Sequence, residues 1–212
     1  MDVLEPGLRD RLIDAGVELV TSGGTPAASL REIARRAGVS HGAPRRYFPT
    51  HRELLSAVAR RGFASLAAEL GDAAAGSAED PRARLAALGR AYLEFAASNR
   101  GMYELMFRHD LLESGRLGLR EVSLPLFRMV TELVADAQPP GGAAPEVMAG
   151  ALWANLHGIA QLWGWDSLQL ATGLTDPGPL LQAALDAHLG PERLTEPLTM
   201  VGKDRACRHR VV

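Results

Sequence analysis

The sequence predicts an all-α protein, with a small N-terminal trihelical head followed by a larger helical body. Apolar residues recur every three or four positions, which is the spacing of one face of a helix. Runs rich in valine, isoleucine and threonine are almost absent, so the signals for strands are missing. Helix starts of the type Asp-Pro, at Asp80 and Asp176, and glycines that end helices divide the chain into successive helices.

Size and composition exclude several classes of protein. The chain has 212 residues, 47% of them hydrophobic, which is enough to bury a core without disulfides. Its single cysteine, Cys207, excludes an internal disulfide and a cysteine-rich zinc site. No apolar run approaches the roughly 20 residues of a membrane span, and the N-terminus lacks the apolar region of a secretory signal. We therefore expect a cytoplasmic protein with no cofactor and no metal ion.

The net charge of −2 conceals a difference between the two ends of the chain. Residues 25–62 contain eight arginines and two glutamates, a net charge of +6. Residues 63–190 contain eight basic and fifteen acidic residues, a net charge of −7. A basic head on an acidic body indicates that the head binds a polyanion and that the body does not.

The first two helices of the head have clear boundaries. One apolar stripe begins at Leu8, and Gly23-Gly24 ends the helix that carries it. Ser29 and Glu32 then form a capping box, in which each side chain bonds a backbone N–H group at the start of a helix. This second helix ends at Gly38, because glycine readily adopts the left-handed conformation of a helix end.

The third helix completes a helix-turn-helix. Ser40 is placed to cap it, and Pro49 stops it just after Phe48. Two short helices joined by a three-residue turn leave the second helix available for the major groove of DNA. The arginines of these helices suit DNA, because guanidinium groups bond phosphates and the O6/N7 edge of guanine.

Small residues between 71 and 79 mark the predicted boundary between head and body. This boundary gives a head with its connecting helix at 1–70, a body at 80–190 and a mobile tail at 191–212. The predicted helices of the body cover 81–98, 102–112, 119–137, 146–163 and 177–189.

The segment LREIARRAGVSHGAPRRYFPTHRELLSAV resembles the DNA-binding domain of the TetR-type transcriptional regulators. The similarity lies in the I-A-x-x-A-G-V-S core, the Y-F-P after it and the downstream E-L-L. In the body, Trp153, His157 and Gly158 are similar to a W-x-x-x-H-G signature of one C-terminal subclass. The resemblance implies a homodimeric all-helical repressor, which a small-molecule inducer releases from a palindromic operator.

Carried over residue by residue, the resemblance implies that the head contacts DNA through one set of side chains. The set is Ser29, Arg31, Ser40, His41, Gly42, Ala43, Arg45, Arg46, Tyr47 and His51. The small side chains at 42 and 43 let the helix approach the bases, and the Ala43 methyl could touch a thymine. His51 stands where the family often has a phosphate-binding lysine. Pro44 stands where the family often has an aliphatic residue. Because of this proline, the sequence does not determine at which residue the recognition helix starts.

Two interpretations of the body stay open. An aromatic and methionine stripe could line an apolar effector pocket, with His157 or Tyr103 as its polar group, or it could be ordinary core. The stripe consists of Met102, Tyr103, Met106, Phe107, Phe127, Trp153, His157 and Trp163. The resemblance also implies a dimer interface on the last two long helices, for which the candidates are Leu156, Leu181, Leu185 and Leu189.

The sequence favours a binding protein over an enzyme. The motifs H-E-x-x-H, G-x-S-x-G and G-x-x-x-x-G-K-[ST] are absent, so no catalytic residue is assigned. Two alternatives to an inducible regulator remain: a helical adaptor with a degenerate helix-turn-helix, and a ligand-independent, nucleoid-type DNA binder. The adaptor hypothesis does not explain the positive charge of the head.

Overall fold

The computed structural model describes residues 7–76, 80–112, 118–138 and 142–191. This part of the chain consists of helices without strands, as predicted. The helices are α1 (Leu8–Ala27), α2 (Leu30–Arg36), α3 (Pro44–Tyr47), α4 (His51–Ala75), α5 (Pro81–Ser98), α6 (Arg100–Met106), α7 (His109–Leu112), α8 (Leu119–Ala137), α9 (Pro145–Gly164), α10 (Ser167–Thr172) and α11 (Gly178–Leu189). None of them has the length and apolar content needed to cross a membrane.

Predicted caps begin several of these helices. The Ser29 hydroxyl accepts a hydrogen bond from the Glu32 amide (3.2 Å) before α2, and Asp80 accepts one from the Ala83 amide (2.8 Å) before α5. The second half of the capping box is missing, because the Glu32 carboxylate pairs with Arg35. These caps satisfy amide groups that have no partner inside the helix, and they fix where each helix starts.

The head packs around one small core. Residues of α1, α2 and the first turns of α4 meet there, and Leu12, Ile33 and Leu54 are completely buried. Gly16 permits the close approach of α1 and α4, since a Cβ atom built on it would lie 2.6 Å from Val58 Cγ2. The head is therefore held by side chains that α4 contributes to it.

Three predicted boundaries are wrong. The third helix begins at Pro44 instead of Ser40, because proline has no amide hydrogen for a bond to the carbonyl four residues earlier and fits a first helical turn. The predicted linker starts at residue 71, which is too early, since α4 continues through Gly71 to Ala75. The predicted helix 102–112 is split, because the chain leaves the helix at Phe107 and re-enters it as α7.

Head and body share one continuous hydrophobic core. The division at residues 70–80 stays a prediction, and the predicted tail lies outside the described residues after Pro191. At the junction, α6 packs against the end of α1. A Cβ atom on Gly101 would lie 3.0 Å from Gly24 Cα and closer still to the Val20 carbonyl oxygen. Gly24 itself has a φ of 70° and bends α1, so two glycines make this crossing possible.

The four leucines predicted for the dimer interface face the interior of the protomer. Leu156, Leu181, Leu185 and Leu189 have exposed fractions of only 0–9%. One of them, Leu181, packs against Gly89 of α5, where an added Cβ atom would lie 2.5 Å from its Cδ1. These leucines fill the core of the protomer, because both faces of α9 carry apolar residues and spacing does not show which face is buried. The dimer interface itself stays a prediction.

Candidate functional site

The helix-turn-helix of the head is formed by α2, the turn after it and α3. Gly38 has a φ of 70°, and the Val39 amide donates to the Ala34 carbonyl (2.9 Å), which closes the end of α2. The Ala43 amide donates to the Ser40 carbonyl (3.0 Å), so a single turn leads into α3. This geometry leaves α3 on the surface, with Tyr47 45% exposed.

The arginines of the head fall into two classes. Arg35 bonds Glu32 (2.5 and 2.9 Å) and Arg36 bonds Glu18 (2.7 Å). The hydrogen bond from Arg35 holds the pKa of Glu32 below its usual value. By contrast, neither Arg45 nor Arg46 forms an ion pair with any described residue. In the helix-turn-helix, Arg45 and Arg46 of α3 and Arg31 of α2 thus carry positive charges that are not paired with any described carboxylate.

Most of the other residues predicted to contact DNA are exposed. Ser29, Arg31, Ser40, His41 and Gly42 are exposed, and open space surrounds Gly42. The Ser29 oxygen accepts its capping bond, so the hydroxyl hydrogen is available to a phosphate.

Ala43 differs from the prediction, because its exposed fraction is only 9%. The methyl group faces the core of the head and does not point at a thymine. The reason is the late start of α3: residue 43 belongs to the turn that precedes the helix.

His51 connects two parts of the head. Its Nε2 lies 2.7 Å from the Ala28 carbonyl oxygen, which only accepts hydrogen bonds, so Nε2 must carry the donated hydrogen. This bond occupies the N–H group at Nε2, which is then not available to a phosphate. The bond instead holds the start of α4 against the segment that joins α1 and α2.

We expect an H51A variant to lower the free energy of unfolding by about 1 kcal/mol, the usual net value of one hydrogen bond. Its binding to DNA should weaken while the dependence of affinity on salt stays the same. Urea unfolding and a salt titration of DNA binding measure the two effects. A salt slope that falls by about one for each subunit would show that His51 contacts a phosphate after all.

The body contains an apolar cavity of about 480 Å³ between α4, α5, α8 and α9. Of the predicted stripe, Phe107, Phe127 and Trp153 line this cavity. The described residues that line it are Phe63, Leu66, Leu70, Tyr92, Phe107, Leu112, Arg120, Ser123, Leu124, Leu126, Phe127, Val130 and Trp153. Its volume lies within the range of roughly 300–1,000 Å³ that is typical of pockets for small molecules.

The remaining residues of the stripe have other positions. Met102 and Met106 are buried core residues whose sulfur atoms lie 2.6–2.7 Å from a Cβ atom built on Gly62. Trp163 lines a separate cavity of about 470 Å³ near α10. Met102 and Met106 thus belong to the core, and Trp163 belongs to the wall of the other cavity. None of the three lines the apolar cavity.

Tyr103 and His157 form a polar cluster with Tyr92, which lies at the cavity wall. The Tyr103 hydroxyl lies 2.7 Å from His157 Nδ1, and the Tyr92 hydroxyl lies 3.0 Å from both. Burial raises the pKa of Tyr92 to about 12 and raises that of Tyr103, while it lowers the pKa of His157. All three groups are therefore neutral near pH 7, and they form hydrogen bonds with one another.

Two walls of the cavity could not be predicted from the sequence of any one helix. The first is Phe63, Leu66 and Leu70 on α4, and the second is Arg120, Ser123 and Leu124 on α8. Both sets have helical spacing, so the signal is present in the sequence. Spacing alone does not distinguish a face that lines a cavity from one that fills a core.

Two family models match the chain. "Bacterial regulatory proteins, tetR family" matches residues 12–58, and "Tetracyclin repressor-like, C-terminal domain" matches residues 85–188. The first covers α2, α3 and most of α1 in the head. The second covers the helices that surround both cavities, apart from α4.

Similar proteins include regulators and solved structures. The HTH-type transcriptional regulator BetI of Rhizobium meliloti (strain 1021) is 40% identical over 90 residues, which span 41% of this chain and 42% of that protein. A structure of a protein with unknown function from Rhodococcus sp. RHA1 is 30% identical, with a TM-score of 0.68, and the match covers 89% of this chain and 97% of that one. The multidrug binding protein EbrR, solved in complex with imidazole, is 27% identical with a TM-score of 0.57, over 90% of this chain and 99% of that one.

The match to BetI thus covers about two fifths of that relative. The two family models together match the head and most of the body, and the helix-turn-helix and the helical body have the expected order. The chain therefore belongs to the TetR family of bacterial regulatory proteins.

Proposed function

We propose that the protein is a dimeric DNA-binding transcriptional regulator, a repressor that a small-molecule effector releases from a palindromic operator. The observation that carries this proposal is the course of α4. Its first turns place Leu54 and Val58 in the core of the head, and its middle places Phe63 and Leu66 in the wall of the cavity. One rigid element thus belongs to both the DNA-binding surface and the cavity.

The relatives support both parts of the proposal. BetI is described as an HTH-type transcriptional regulator, and the tetR family model matches residues 12–58 of this chain. EbrR is described as a multidrug binding protein, and its structure covers almost the same length of chain. By the same reasoning, the protein acts by binding and not by catalysis, and it works in the cytoplasm, where it reaches DNA.

The release mechanism follows from the contacts of α4. Arg60 Nη1 bonds the Gly118 carbonyl (3.1 Å) and Glu121 (3.3 Å) at the start of α8, which forms another wall of the cavity. Arg61 lies 3.8 Å from Asp10 and Asp14 of α1 in the head. An effector that separates α4 from α8 therefore also moves the head. Operator affinity then falls by the difference in effector binding between the two states.

The surface proposed for dimerisation is the outer face of α9 and α11. Apolar residues at helical spacing are exposed or half-buried along α9, and small exposed residues continue the surface on α11. The residues are Val147, Ala151, Ala154, Gly158 and Leu162 on α9, with Ala183 and Ala187 on α11. Pairing of these faces about a two-fold axis would form a four-helix bundle and place two heads in major grooves roughly 34–36 Å apart.

We expect an A154R variant to be monomeric and to bind operator DNA weakly. The two-fold axis brings the new charges together and buries them without partners, which opposes association. Sedimentation velocity measures the mass, and A68R, on the exposed side of α4, is the matched control. A dimeric A154R variant would exclude this face as the interface.

Selection of genomic DNA fragments on the purified protein tests the proposed function. We expect recovery of a palindrome that two subunits bind, with an affinity that falls linearly on a logarithmic salt scale. Binding that ignores sequence would contradict the regulator and favour a nucleoid-type binder. No binding by protein that is shown to be free of effector would contradict both and favour an adaptor.

A further inference from the structure

Among the described residues that line the apolar cavity, Arg120 is the one with a charged side chain. Arg120 lies in the first turn of α8, is exposed, and forms no ion pair with any described residue. The other arginine of α8, Arg128, is also exposed but does not line the cavity. The cavity thus combines a large apolar surface with one unpaired positive charge at the solvent side.

The polar groups on the opposite wall already have partners. The hydroxyl groups of Tyr103 and Tyr92 and the Nδ1 atom of His157 form hydrogen bonds with one another. Because these groups satisfy one another, the inner wall offers an apolar ligand the faces of its rings and requires no polar group from it. Ser123, one turn after Arg120 on α8, adds a small hydroxyl group to the described lining.

From this arrangement we propose that the effector is an amphiphilic monoanion, and that Arg120 is the residue that determines this specificity. The apolar part of such a molecule lies among Phe63, Phe107 and Phe127, and its carboxylate-type group lies at Arg120. A guanidinium presents parallel N–H groups that match the two oxygens of a carboxylate. An ammonium group at the same position would meet like charge, and an uncharged polar group would lack the ionic part of the bond.

This inference rests on the proposed role of the cavity as the effector site, and it adds the chemical class of the effector. It assigns no role to Tyr103 or His157 in contacting the ligand. They hold the inner wall in one arrangement. A change in the charge of the ligand therefore changes the binding energy through its interaction with Arg120.

Three probes with the same apolar chain test the inference: decanoate, decanol and decylamine. Isothermal titration of the full-length protein below the aggregation concentration of each probe gives the affinity and the stoichiometry. We expect decanoate to bind at one site per chain and at least about tenfold more tightly than decanol, with decylamine the weakest. In an R120Q variant the preference for decanoate over decanol should disappear, while decanol binds as before.

An R128Q variant is the matched control, because it removes the same charge from the same helix outside the cavity. It should keep the preference for decanoate. The inference is wrong if decanol or decylamine binds as tightly as decanoate, if decanoate does not bind, or if R120Q keeps the preference. Operator selection uses the protein without any probe, so a chain that finds its operator but prefers another probe contradicts only this inference.

Discussion

An R45A/R46A variant is expected to bind operator DNA at least about a hundredfold more weakly than the unmodified protein at the same salt concentration. Each arginine that contacts a base edge or a phosphate contributes about 1–3 kcal/mol, and a dimer carries both changes twice. The effect should be large because neither guanidinium forms an ion pair in the described part of the chain. The change therefore removes contacts to DNA without breaking contacts within the head.

The dependence on salt identifies the kind of contact. If the arginines meet phosphates, the slope of log K against log salt should fall by about one for each phosphate that no longer has an arginine partner. If they read guanine, discrimination between sequences should fall instead. The measurement is a fluorescence anisotropy titration at several salt concentrations, with the operator and one mismatched site.

An R90A/R128A variant is the control for total charge, because both of its arginines are exposed on the body. It should retain most of the operator affinity. An equal weakening of binding in the two variants would mean that overall charge, and not the α3 surface, attracts DNA.

A G101A variant is expected to lower the free energy of unfolding by about 3 kcal/mol, the upper end of the usual range for overpacking. The added methyl group would overlap backbone atoms of α1, namely the Val20 carbonyl and Gly24 Cα. Backbone cannot rotate away as a long side chain can, so the two helices must separate. For a chain of this length the Tm should fall by roughly 6–12 °C, which thermal unfolding followed by circular dichroism measures.

G71A is the matched control for this prediction. Gly71 lies within α4, and a Cβ atom there would meet nothing within 4 Å. The variant should be as stable as the unmodified protein or more stable by up to about 1 kcal/mol, because alanine favours helix over glycine. If G101A is as stable as G71A, then α1 and α6 do not need their close approach.

Predictions from the sequence were accurate where a local signal sets the structure. The caps at Ser29 and Asp80 act on the next turn of the chain, so their effect is visible without the fold. The third helix was predicted too long because its start depends on whether Pro44 continues a turn or begins a helix. The structure takes the second option, and the position of Ala43 changes with it.

The sequence could not determine which face of a helix is buried when both faces are apolar. On α9, Leu156 is buried while Val147 and Leu162 are exposed, although all three are aliphatic. Amphipathic helices in the head do not have this ambiguity, because polar residues mark their outer face.

Contacts between residues that are far apart in the sequence could not be predicted either. The bond from His51 to Ala28 spans 23 residues, and the contact of Tyr103 with His157 spans 54. The sequence shows that these residues are polar or aromatic, but which residue each one contacts depends on how the helices pack. In the same way, nothing in the sequence distinguishes Arg120, although it is the one charged residue among the described residues of the cavity wall.

The crossing of α1 and α6 also limits how members of such a family can exchange parts. A chimera that joins a foreign head to this body between residues 71 and 79 would keep Gly101 but lose the bend at Gly24 that accommodates it. Recombination at that point should therefore give poorly folded proteins unless the donor head bends at the same position. New DNA sequences are more readily reached by substitutions on the outer side of α3, which leave the crossing untouched.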